Sequence, residues 1–281
     1  MKKLLSMELK RAFLSPVLWI GVITEICINV YAIISSTYGF AIYTTSFLFE
    51  HSGLLCIMIA IFISLHISHD FEVRTINNKI AAGYSRKQIY LTEVVTSAIC
   101  SSFLFIADII IVFICSLIKH LEFSNRVTYT AFIINMFINL ICIITISSLF
   151  TMLVMIAHKQ LISLAIVLLL TLAMLSFGGN TVSSLCQDKT WTDPVTHETE
   201  KNPLYIHGFK RTAANLQLLI SPFAQVKYEP FMLLEETSEK AANSLLLKKV
   251  PYHFEFCIFN LLELVFFCKI GIAIFKKQDL K

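Results

Sequence analysis

Six runs of apolar residues dominate the chain, at about 16–36, 52–68, 94–118, 129–157, 161–177 and 254–275. A bilayer core about 30 Å thick takes roughly 20 helical residues to cross, so each run predicts a membrane-spanning helix. The second and fifth are short, and the fourth is long enough to tilt or kink. Polar stretches of unequal length separate the runs, and two of them, 69–93 and 178–252, are too long for simple turns. Basic residues precede the first run, as in a signal peptide. No small-residue cleavage pattern follows it, so an uncleaved span is expected.

Charge sets the orientation. Twelve basic residues fall on one side: Lys2, Lys3, Lys10, Arg11, Arg74, Lys79, Arg86, Lys87, Lys159, Lys276, Lys277 and Lys281. The short loops opposite carry only Lys119 and Arg126. By the positive-inside rule both termini and loop 69–93 are cytoplasmic, and segment 178–252 lies outside. The expected fold class is an all-α integral membrane protein of six transmembrane helices, placed in the cell membrane. An N-terminal interfacial elbow helix over 1–15 precedes spans one to five (16–177). A small extracellular cap (178–252) precedes the last span and its tail (253–281).

Residues 1–15 place Leu5, Leu9, Ala12 and Phe13 on one stripe, with Lys3, Lys10 and Arg11 largely away from it, which suits a helix lying in the interface. In loop 69–93, Ile76, Ile80 and Ala81 share a face of a short helix that Gly83 would end as a C-cap. Ser85 would N-cap the helix running through Arg86, Lys87 and Ile89 into the third span. Such an elbow suits docking of a cytoplasmic partner. In the outer segment, 213–220 and 235–249 read as helices, and buried contacts are expected to hold Trp191, Tyr205, Phe209 and Phe223.

Composition agrees with a membrane protein. The 281 residues are 56% hydrophobic and 15% charged, against roughly 45–50% and 25% in soluble domains. A cytosolic globular enzyme is excluded, and a net charge of +4 is too small to argue for nucleic acid. Seven of the eight cysteines fall in apolar runs as small buried hydrophobes, leaving Cys186 alone in a polar segment. The chain has no C-x-x-C pair, phosphate loop or H-E-x-x-H site. His66, His69 and Asp70 read as polar residues at a membrane boundary rather than as metal ligands. Glu235-Glu236-x-x-x-Lys240 lies outside the spans and does not support protease chemistry, so no catalytic or metal site is expected.

Glu25, Asp108 and Glu263 sit inside apolar runs, where a central charge costs roughly 2.5–3.5 kcal/mol on insertion scales. Interhelical polar pairing, joined by Asn29, Asn135, Asn139 and Asn260, is the favoured reading. The alternative is an ion-coupled secondary transporter using these acids. No inverted repeat relates the two halves, as that class would require.

Three stretches together resemble one family. Asn77-Asn78-Lys79-Ile80-x-x-Gly83-x-Ser85-Arg86-x-x-Ile89-Tyr90-Leu91 resembles the first cytoplasmic loop of type-2 ABC exporter permeases of a branch common in Gram-positive bacteria. Asn202-Pro203-x-Tyr205-x-x-Gly208-x-Lys210-Arg211, with Ser221-Pro222-x-x-Gln225, resembles its outer segment. Gly271-Ile272-x-x-Phe275-x-Lys277-x-Asp279-x-Lys281 resembles its ending. Arg74-Thr75 departs from the Gly-Thr that the branch often has there. The resemblance implies a transport subunit without enzymatic activity, paired with a second permease, alike or different. Cytoplasmic ATPase subunits carrying ATP and Mg would dock on its coupling loop, and this chain would bind no cofactor. It assigns that loop Asp70, Glu72, Arg74, Asn77, Lys79, Gly83, Ser85, Arg86 and Lys87. The substrate expected is an amphiphilic peptide, antimicrobial or drug-like compound.

Overall fold

The computed structural model describes residues 2–35, 44–123, 129–192, 199–237 and 252–278. The elements in chain order are α1 (Lys2–Leu14), α2 (Pro16–Ser35), a 3-10 turn (Thr44–Ser46), α3 (Ser52–Glu72), α4 (Thr75–Ala81), α5 (Arg86–Ile118), α6 (Tyr129–Ala157) and α7 (Gln160–Leu185). A hairpin of β1 (Thr190–Thr192) and β2 (Thr199–Lys201) follows, then α8 (Phe209–Ile220), α9 (Pro222–Thr237) and α10 (Tyr252–Lys277). Six helices, α2, α3, α5, α6, α7 and α10, are long and apolar enough to cross a membrane. The molecule is an all-α protein of six such spans.

Helix α6 is the centre of the bundle and packs against α3, α5, α7, α9 and α10. Its buried face mixes Cys142, Ile143, Ile146, Phe150 and Val154 with Thr145, Ser147, Ser148 and Thr151. Those four hydroxyls donate to carbonyls three or four residues back, so the small polar residues are satisfied within the helix. Helix α5 has 33 residues and is about 50 Å long at 1.5 Å per residue. It therefore outruns a bilayer core of about 30 Å and carries its first turns beyond it.

Two departures from the sequence reading lie near the fifth span. Helix α7 ends at Leu185 rather than near 177. Residues 178–185 are not an apolar run, but Gly178, Thr181, Val182 and Leu185 are buried. A Cβ on Gly178 would stand 2.8 Å from Ala224 Cα, so only glycine admits the α9 backbone there. Helix α8 begins one turn earlier than expected, at Phe209. Part of the outer segment packs onto the bundle. Ser221–Val226 and Tyr228 are buried where α9 packs against α3, α6 and α7. Phe223 is buried as expected, whereas Phe209 is 87% exposed. Arg211 stacks over the Tyr205 ring at 4.7 Å. The expected helix 235–249 contributes only the end of α9; residues 238–251, and the side chain of Trp191, lie outside the described residues.

Candidate functional site

At the end of the bundle that carries both termini, four helices bring charged side chains to one buried point. Helix α1 presents Glu8 and Arg11 three residues apart on one face. The last turns of α3 supply His66 and Asp70, the short helix α4 supplies Lys79, and α5 supplies Glu93. Lys79 is 4% exposed and the three carboxylates 1% or less. The Lys79 ammonium lies 2.8 Å from Glu8 Oε1, 2.6 Å from Asp70 Oδ2 and 2.9 Å from Glu93 Oε1. Arg11 pairs with Glu8 at 2.6 Å and closes a two-pronged contact on Asp70, donating from Nη2 to Oδ2 at 2.8 Å and from Nη1 to Oδ1. Its Nη2 also stands 3.4 Å from His66 Nε2.

Burial alone would lower the Lys79 pKa, but Glu93, Asp70 and Glu8 outweigh it and hold the amine above the usual lysine range. Arg11 behaves alike, its burial outweighed by Asp70, Glu8 and Glu93. Both cations therefore stay charged. Three carboxylates face two cations, and Glu93 Oε2 has no hydrogen-bond partner among the described residues. Ions buried in this way hold together only as a set, because removing one strands the others away from water.

Helix α4 owes its form to local sequence. Gly83 takes φ 89° with nothing within 4 Å of where a Cβ would be, so conformation rather than space selects glycine. Gly83 N–H donates to Ile80 O at 2.9 Å and Tyr84 N–H to Lys79 O at 3.2 Å, the paired bonds of a Schellman end. Ser85 and Gln88 then form a capping box at the start of α5. At the other end of α4, Arg74 stands in the left-handed region at φ 57°.

The loop residues divide by face. Asp70 and Lys79 are turned into the network and Ile76 is buried beside them, so none of these three is surface that a partner could touch. Glu72, Arg74, Asn78, Gly83, Ser85 and Lys87 are exposed, and Asn77 is half-buried. Arg86 belongs to another contact. Its Nη1 donates to the carbonyls of Phe275 at 3.3 Å, Lys276 at 3.1 Å and Gln278, capping the C-terminal end of α10. One turn on, the Tyr90 hydroxyl donates to Phe267 O at 3.3 Å and the ring fills the space over Gly271. The loop and C-terminal stretches quoted above are thus in direct contact.

The charges within the spans behave differently. Asn29 on α2 donates to Asp108 Oδ1 on α5 at 2.7 Å, an interhelical pairing of the kind expected. Glu25 is buried nearby without a hydrogen bond, and no hydrogen bond or ion pair among the described residues joins Glu263 to either. Gln225 on α9 meets α10 and α6: its Oε1 accepts from Asn260 Nδ2 at 2.6 Å and from the Cys142 thiol at 3.0 Å.

The sequence pattern gives Glu8 and Glu93 no role and marks Arg11 and His66 only as polar residues at the membrane boundary. A signal existed for Glu8, which stands four residues from both Leu4 and Ala12 on the buried stripe of α1. Ligand atoms of Glu8, His66 and Glu93 lie within 4.8 Å of one another, close enough to hold a metal ion. In this arrangement the Lys79 ammonium already supplies a cation to both carboxylates, and His69 is exposed and takes no part. No family model matches the chain, and no curated protein matches it at significance.

Proposed function

We propose that this chain is the membrane subunit of an ATP-driven exporter, with α4 as the element that a separate ATPase moves. The observation that carries this reading is the triple pairing of Lys79 to Glu8, Asp70 and Glu93. A seven-residue helix at the edge of a membrane bundle has little reason to be anchored by buried ions unless force passes through it. Displacing α4 would carry α1, α3 and α5 with it, because separating any of the pairs strands a buried charge. The exposed rim of Glu72, Arg74, Asn78 and Lys87 is the surface offered to the partner, on the cytoplasmic side by the distribution of basic residues. The partner would supply ATP and Mg, and a second permease, alike or different, would complete the pathway. The proposed substrate is an amphiphilic peptide, antimicrobial or drug-like compound.

Purification of the tagged chain from its native membrane, followed by ATPase assay, tests the reading. Co-purifying hydrolysis that is lost when Glu72, Arg74 and Lys87 are charge-reversed together supports it. Lys79→Met is expected to retain the ATPase subunit while disconnecting hydrolysis from transport. A chain that purifies without an ATPase overturns the reading and leaves the ion-coupled carrier.

A further inference from the structure

Glu25 lies at the middle of α2, 1% exposed, and neither of its carboxylate oxygens has a hydrogen-bond partner among the described residues. One turn later, the Asn29 amide donates to the Glu25 backbone carbonyl at 3.0 Å and to Asp108 Oδ1 at 2.7 Å. Both N–H groups are thereby used, while Asn29 Oδ1 is buried without a donor. Asp108 is 3% exposed and within electrostatic reach of Glu25. Two carboxylates and a spare amide oxygen therefore share the bundle interior between α2 and α5.

The groups that face this cluster do not neutralise Glu25. From α3 comes the Cys56 thiol, which interacts with both Glu25 and Lys227. Just before α3, His51 acts on Asp108. Lys227 on α9 sits beside Gly53, on the α3 side of the cluster. None of them forms a hydrogen bond or ion pair with Glu25 among the described residues. A carboxylate in apolar surroundings without a counter-ion takes up a proton rather than remaining charged. Calcium takes roughly six to eight oxygen ligands and magnesium about six; the fully buried oxygens without a partner here are Glu25 Oε1, Glu25 Oε2 and Asn29 Oδ1. A proton suits what is missing, because it removes the charge on Glu25 that no neighbouring group pairs.

We propose that Glu25, Asn29 and Asp108 form a proton-binding site inside the bundle, with the proton on Glu25 and Asp108 held as the anion by Asn29. Water admitted between α2 and α5 would let Glu25 release its proton and stand as a second negative charge beside Asp108. Proton release and separation of α2 from α5 then favour one another. This inference does not rest on the export reading, since it concerns groups remote from α4.

The test is an infrared spectrum of the full chain at neutral pH, in the region where protonated carboxyl groups absorb, for the parent protein, Glu25→Gln and Asp108→Asn. The expected result is a protonated-carboxyl band that Glu25→Gln removes, that Asp108→Asn retains, and that added sodium or calcium chloride leaves in place. Labelling of the parent chain with an apolar carbodiimide, located by mass spectrometry, should then mark Glu25. Gln is the neutral near-isostere of a protonated Glu, so Glu25→Gln should fold and melt like the parent. Loss of the carboxylate band instead in Glu25→Gln, removal of the carboxyl band by Asp108→Asn alone, or its disappearance on adding either salt would overturn the proposal. So would a Glu25→Gln chain that fails to fold.

Discussion

Lys79 on α4 and Glu93 on α5 face one another at 2.9 Å with almost no exposure to solvent, although fourteen residues of helix, turn and helix separate them. Glu8 and Asp70 complete the ring around the same ammonium. Lys79→Met should therefore destabilise the protein by about 3–5 kcal/mol, the cost of leaving buried carboxylates unpaired. Thermal unfolding in detergent measures this. The double variant Lys79→Met, Glu93→Gln should melt above the sum of its single variants, because the second change removes one stranded charge.

The pH dependence of that contribution has a definite sign. The folded chain holds the Lys79 amine above its ordinary range, so the unfolded chain loses the proton first as pH rises. The stability difference between parent and Lys79→Met should be constant from neutral to mildly alkaline pH. It should shrink only as the pH climbs through the ordinary lysine range and beyond. A difference that grows with alkalinity would contradict the pairing.

Two glycines in membrane-spanning helices should respond oppositely to alanine. At Gly271 a Cβ would overlap the hydroxyl and ring of Tyr90, which is fully buried. Gly271→Ala should cost about 1–3 kcal/mol, in the range of overpacked cores. At Gly179 nothing lies within 4 Å, so Gly179→Ala should be neutral or stabilising by up to about 1 kcal/mol through helix propensity. Melting temperatures of the two variants decide it.

Arg74 occupies the left-handed region at φ 57°, which costs a residue bearing a Cβ roughly 1–2 kcal/mol. This is the position at which the resembling permeases often carry glycine. Arg74→Gly should raise the melting temperature, by an amount corresponding to at most about 1 kcal/mol once the added freedom of the unfolded chain is deducted. Arg74→Ala, which keeps the Cβ, should give no such rise.

Much of the architecture was legible from one dimension. Long apolar runs mark six helices because a span must satisfy its backbone internally and cover itself with apolar side chains. The turn at Gly83 and the cap at Ser85 were legible because each depends on a few neighbouring residues. What escaped was packing against distant partners. The last turns of α7 are polar by composition and become helix interior only because α9 lies on Gly178. Within the stretch read as an outer cap, α9 packs into the bundle, and Gln225 has its partners on α6 and α10.

The candidate site divides along the same line. Periodicity placed Lys79, Arg86 and Lys87 in a loop with helical character, but it could not tell an inward cation from an outward one. The structure turns Lys79 onto Glu8, Asp70 and Glu93, sends Arg86 to the end of α10, and leaves Lys87 exposed. The sequence by itself determined the number of spans, the turn at Gly83 and the cap at Ser85, because these follow from local propensity and from hydropathy averaged over a whole helix. Only the tertiary structure decided which charges are paired and which remain alone. That outcome depends on angstrom-scale approach between helices far apart in the chain, with eighty-five residues between Glu8 and Glu93 around one lysine and 190 between Arg86 and Lys276.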